Sequence, residues 1–202
     1  MADYEESPEI IIPDIGISNG QELGQTPNQI IIPSVGIVQD SLYTDINSIQ
    51  AVYQYDHSIT TYTDFTTEAN SADVSDVYPF PSGGVGAGDI CYLGSPTPSP
   101  FLTFNIPTPG VGTYTISYKY WNGASWVALT EVYDSSGDLK VLDYSRVHWV
   151  VPDDWVQVAV NGTTLYWIQV VYNSGTMTTR PIITQVWWYA GAISTGQIIV
   201  VM

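Results

Sequence analysis

Apolar and polar residues alternate through the second half of the chain, most clearly between Gly112 and Tyr172. In the stretch 113–121, Tyr114, Ile116, Tyr118 and Tyr120 share one parity, while Thr115, Ser117, Lys119 and Trp121 share the other. A period of two places such sets on opposite faces of a β-strand. The same reading predicts strands at Gln50–Tyr55, Asp89–Gly94 and Phe101–Ile106. It also predicts Val156–Val160, Tyr166–Tyr172 and a last long strand through Ile182, Thr184, Val186 and Trp188. Asn122-Gly123 and Asn161-Gly162 interrupt the pattern as hairpin turns, with Trp121 and Trp126 facing each other across the first. Turns recur about every eight to twelve residues, a spacing typical of sandwiches and barrels. Stripes at helical period are rare. The expected fold is all-β, an antiparallel, jelly-roll-like β-sandwich over residues 43–190 with no helix longer than about two turns.

Residues 1–42 read differently, as an extended N-terminal arm. Glu9–Ile17 (EIIIPDIGI) recurs as Gln29–Ile37 (QIIIPSVGI), 20 residues later. Branched residues before a proline favour extended backbone, because proline excludes the preceding residue from the helical region. The turn-forming SNGQELGQTPN separates the two copies. Two copies are too few for a solenoid. Apolar strips need cover, from their own domain as ordinary edge strands or from a neighbour. The candidate partner-docking residues are Ile10, Ile11, Ile12, Pro13, Ile15 and Ile17 in the first copy. Ile30, Ile31, Ile32, Pro33, Val35 and Ile37 are their counterparts in the second. Residues 191–202 form a tail ending in IIVVM, read as a short C-terminal strand that would be an aggregation edge if unpaired.

Charge narrows the function. The chain of 202 residues has 20 acids against 4 bases, a net charge of −16. All four cations, Lys119, Lys140, Arg146 and Arg180, follow residue 118. Acid content is ordinary and base is scarce, which disfavours direct nucleic-acid binding. No apolar run approaches the length of a membrane span. MADYEESPEI has neither basic nor apolar signal-peptide regions, so synthesis in a cytoplasm without secretion is expected. The single cysteine, Cys91, reads as a buried small hydrophobe.

Catalytic chemistry finds little support. His57 and His148 are the only histidines, and with one cysteine they give no zinc spacing. The glycine-rich stretch 83–88 lacks the Lys-Ser/Thr of a phosphate loop. Carboxylates pair at Asp153-Asp154, Asp73/Asp76 and Asp134/Asp138, without a spacing that shows them facing across a groove. Asp134 and Asp138 are weak calcium candidates in a segment that lacks the EF-hand ligand pattern. Trp121 and Trp126, at a hairpin end, are the candidate glycan-stacking residues. No catalytic residue, cofactor or metal is expected.

Three segments carry a resemblance: GDICYLGS (88–95), GVGTYTISYKYWNGASWVALT (110–130) and VHWVVPDDWVQVAVNGTTLYWIQVVY (147–172). Together they are similar to a β-sandwich module of structural proteins in tailed bacteriophages and related viruses. That module commonly ends Tyr-Trp-Ile-Arg, and Gln169 stands here in place of the arginine. The resemblance implies a non-enzymatic virion component. The first expectation is a capsid decoration or cement protein, or a head- or tail-associated fibre component, localised to the virion. Its partners would be the major capsid protein or other virion proteins, with homo-oligomers, and neither nucleic acid nor membrane. The alternatives are a carbohydrate-binding module for host attachment and a filament subunit joined by strand exchange.

Overall fold

The computed structural model describes residues 46–72, 76–82 and 84–189. Both copies of the IIIP repeat (9–17 and 29–37) with all their docking candidates, the tail 191–202 and Asp73 lie outside the described residues.

The strands in chain order begin with β1 (Ile46–Ser48), β2 (Ala51–Asp56), β3 (Thr61–Asp64), β4 (Ile90–Ser95) and β5 (Phe101–Ile106). The middle of the chain gives β6 (Val111–Gly112), β7 (Thr115–Trp121), β8 (Trp126–Ala128), β9 (Tyr133–Asp134) and β10 (Asp143–His148). The last four are β11 (Val158–Val160), β12 (Thr163–Ser174), β13 (Met177–Thr179) and β14 (Gln185–Tyr189). Among the described residues the sole helical element is a single 3-10 turn at Glu68–Asn70.

Sheet A has the order β1-β14-β5-β10-β9, and sheet B the order β3-β2-β4-β12-β7-β8 with β11 paired to β12. All these pairings are antiparallel. Take β1, β2, β5, β7, β8, β10, β12 and β14 as strands one to eight. Sheet A then runs one-eight-three-six and sheet B two-seven-four-five, which is jelly-roll order. Strand β4 is inserted between the second and seventh, and β3 extends the edge as a hairpin. The fold is an antiparallel, jelly-roll-like β-sandwich.

Alternation supplies the core. Val52, Leu93, Tyr118 and Ile168 from sheet B pack with Leu102, Phe104, Val147, Val186 and Trp188 from sheet A. Each fully buried side chain of this size contributes about 1.5–3 kcal/mol. Core tyrosines bring hydroxyls that need partners; Tyr114 and Tyr120 find theirs in loops and Tyr118 at the end of β9. Tyr114 donates to the Asp138 carbonyl at 2.8 Å, Tyr118 to Asp134 Oδ2 at 3.0 Å and Tyr120 to Asp154 Oδ1 at 2.8 Å. The aromatic core thereby pins the loops around it.

Two local expectations are corrected. The last strand spans only Gln185–Tyr189, because Ile182 and Ile183 make isolated bridges to Thr108 and Val77 instead of a continuous ladder. The two Asn-Gly turns also differ. Asn161 (φ 48°) and Gly162 (φ 84°) both take positive φ, as a two-residue hairpin turn requires. At the first, Gly123 alone has positive φ, and Asn122 Oδ1 instead accepts the Ala124 and Ser125 N–H groups in a four-residue loop.

Candidate binding surfaces

The outward face of sheet B is aromatic, since alternation that sends Val52, Cys91 and Ile168 inward sends Tyr53, Tyr92 and Trp167 outward. These rings form a second cluster with Ala51 and Val160. Trp167 is fully buried at its centre, with Nε1 donating to the Val158 carbonyl at 3.0 Å. Gln169 occupies the same face, buried, and donates from Nε2 to Tyr92 Oη at 3.1 Å. A neutral amide fits there without an ion-pair partner. Burial pushes the Tyr92 phenol well above its ordinary value.

The rim of this cluster is partly exposed. Tyr62 is 39% exposed and packs against Tyr55 and Tyr92 at ring-centroid distances of 4.9 and 6.0 Å. On the other side Trp121 and Trp126 are directly paired across β7 and β8. Their rings are 5.5 Å apart at 63°, and Trp126 also meets Tyr92 at 5.7 Å. Both indoles are half-buried. The two glycan candidates are thus brought together, but edge to face, so they offer no single flat platform.

Sheet A carries a second outward row along β10. Tyr144, Arg146 and His148 lie on one face, with Tyr144 68% exposed and 5.7 Å from Trp187. The Arg146 guanidinium sits 4.7 Å from the Phe101 ring centre. His148 stacks on Tyr133 at 4.9 Å, and Tyr133 is 55% exposed. Partial burial, then the Arg146 charge, holds the His148 imidazole below its ordinary value. Strand β9 pairs only with Val147 and His148. The side of β10 away from β5 therefore has no strand partner at Asp143–Ser145 among the described residues.

Asp134 and Asp138 do come together, but around protein donors. Asp134 accepts the Ser136 N–H at 2.7 Å and the Asp138 N–H at 3.1 Å, besides the Tyr118 hydroxyl. Asp138 accepts the Ile116 N–H at 3.2 Å and pairs with Lys140 at 3.1 Å. These carboxylates organise a turn and brace the core tyrosines. No three His, Cys, Asp or Glu side chains converge among the described residues. Cys91 is buried, its thiol pushed up to about 12 by burial. The His57 backbone N–H donates to Asp89 Oδ1 at 2.9 Å. No helix among the described residues is long and apolar enough to cross a membrane.

Fold and surfaces define the class: an all-β sandwich of jelly-roll type with aromatic rows on both outer faces. No protein-family model matches the chain, and no curated protein matches it.

Proposed function

We propose that the protein is a non-enzymatic virion structural protein, a capsid decoration or cement protein, that docks on neighbouring subunits through residues 1–42. The observation that carries this reading is the open side of β10. Asp143–Ser145 pair with β5 on one side, and on the other side no strand among the described residues pairs with them, beside the largely exposed Tyr144. An extended apolar segment with alternating branched side chains is the natural complement of such an edge, since main-chain hydrogen bonds and side-chain contacts form together. The repeat at 9–17 and 29–37 supplies two such segments on one connector, which multiplies weak contacts. A connector of about a dozen residues spans at most roughly 40 Å, so the acceptors are adjacent subunits, of the major capsid protein or of this chain. The resemblance of 88–172 to phage structural modules supports the same assignment.

The test removes residues 1–42 and follows both melting and attachment to the particle. The truncated protein is expected to melt as the full chain does and to lose attachment. Normal attachment, or failure to fold, would overturn the docking role.

A second reading, a carbohydrate-binding module, is favoured by the half-exposed Trp121–Trp126 pair beside Tyr92. Glycan-array binding by the sandwich, abolished in a stably folded Trp121→Ala/Trp126→Ala protein, would select it over the first.

A further inference from the structure

The β2–β3 hairpin extends sheet B beyond the cover that sheet A provides. Gln54 pairs with Thr63 and Asp56 with Thr61, so these four side chains share the face on which Val52 joins the core. Val52 and Gln54 are buried, whereas Thr61 and Thr63 are exposed. Facing them across an open cleft of about 450 Å³ stand Tyr78 and Arg180. The cleft adjoins a second hollow of about 180 Å³, flanked by Val85 and Met177, with Arg180 on the wall of both. The larger volume lies within the range of about 300–1,000 Å³ typical of small-molecule sites.

The groups here are fixed in place. The Arg180 guanidinium carbon lies 4.1 Å from the centre of the Tyr78 ring, and Nη1 donates to the Phe80 carbonyl at 3.0 Å. No carboxylate among the described residues forms an ion pair with Arg180. That is unexpected in a chain of 20 acids and 4 bases. Partial burial depresses the Arg180 pKa, a sign that the charge is held partly out of water. Gln54 Nε2 donates to the Tyr78 carbonyl at 2.6 Å, which leaves the amide oxygen as an acceptor. Asp56 accepts the Ser58 N–H and hydroxyl at Oδ1.

A guanidinium held on an aromatic ring takes a carboxylate in two parallel hydrogen bonds. Nearby hydroxyl and amide acceptors suit a polyhydroxylated ring more than a peptide side chain. We propose that this cleft binds a carboxylate-bearing saccharide, a uronate-containing glycan. The carboxylate sits on Arg180, and the sugar hydroxyls donate to Asp56 and Gln54 and meet Thr63. The site is separate from the Trp121–Trp126 pair and does not depend on the chain belonging to a particle.

The test titrates the full chain with tetragalacturonate, with its methyl ester as a neutral copy and acetate as a bare carboxylate, followed by NMR. Saturable shifts are expected at the Gln54 side-chain amide and Arg180, with the ester at least tenfold weaker and acetate without saturable effect. Arg180→Gln should abolish the shifts. Thr63→Val, at an exposed position, should weaken binding severalfold at an unchanged melting temperature, and it decides the matter if Arg180→Gln fails to fold. Absence of saturable shifts in the cleft, equal binding of the ester, saturation by acetate, or shifts confined to the tryptophan indoles would each overturn the proposal.

Discussion

At the scale of single residues, one close constraint lies beneath Trp167. A Cβ on Gly94 would come within 2.6 Å of the Trp167 ring and 2.7 Å of Leu165 Cδ1. Gly94→Ala should therefore overpack the outer cluster of sheet B and cost about 1–3 kcal/mol. A chemical-denaturation midpoint equal to that of the parent would contradict this packing. A glycine inside a predicted strand is a sequence signal for close approach, so Gly94 was open to notice. Its partner was not, because nothing local says that Trp167 lies over it. Asp134 makes the converse case. Its spacing from Asp138 suggested calcium, yet both its oxygens already accept protein donors. Asp134→Ala should cost about 1–3 kcal/mol through the unsatisfied donors left behind, and added calcium should leave the melting temperature of the parent unchanged. A rise in melting temperature with calcium would restore the ion site, because a ligand of the native state stabilises it.

At the scale of elements, parity was legible and burial was not. The inward set Tyr114, Ile116, Tyr118 and Tyr120 is buried as the alternation predicts. In β12 the residues from Trp167 to Tyr172 are buried on both faces, so alternation cannot say which face meets sheet A. The second aromatic cluster was not legible in the sequence for that reason. The Trp121–Trp126 pair belongs to that cluster's rim. Since each ring is half-buried, the double change to alanine should cost about 3–5 kcal/mol, roughly half of two full core truncations. A double variant as stable as the parent would show the rings to be unpacked. The short final strand was hidden for another reason. The alternation of Ile182, Thr184, Val186 and Trp188 is real, but the ladder of β14 begins only at Gln185. Periodicity gives facing, while ladder length depends on a partner distant in the chain.

At the scale of the whole molecule, titration couples to stability at both ends of the pH range. Burial raises the Cys91 thiol to about 12 and lifts the Tyr92, Tyr114 and Tyr118 phenols above their ordinary value of 10.0. The folded state therefore keeps protons that the unfolded state has released. Stability from these groups is complete below the unfolded values and is lost as pH rises beyond them. Each unit is worth about 1.4 kcal/mol, so the denaturation midpoint should fall steeply above pH 10. On the acid side His148 is held below 6.5, so the unfolded chain protonates first and stability declines as pH falls through that value. A midpoint flat from pH 7 to 11 would contradict the buried tyrosines. The fold class was legible because strand parity and turn spacing are local. The docking proposed for residues 1–42 depends on a partner that no property of one chain specifies. The central claim is that this sandwich is a particle component. It is tested most directly by imaging native particles labelled with an antibody against the exposed Asn122–Ser125 hairpin tip. Label in a regular array on the shell or tail is the predicted result; particles that carry no label, with the protein free beside them, would contradict it.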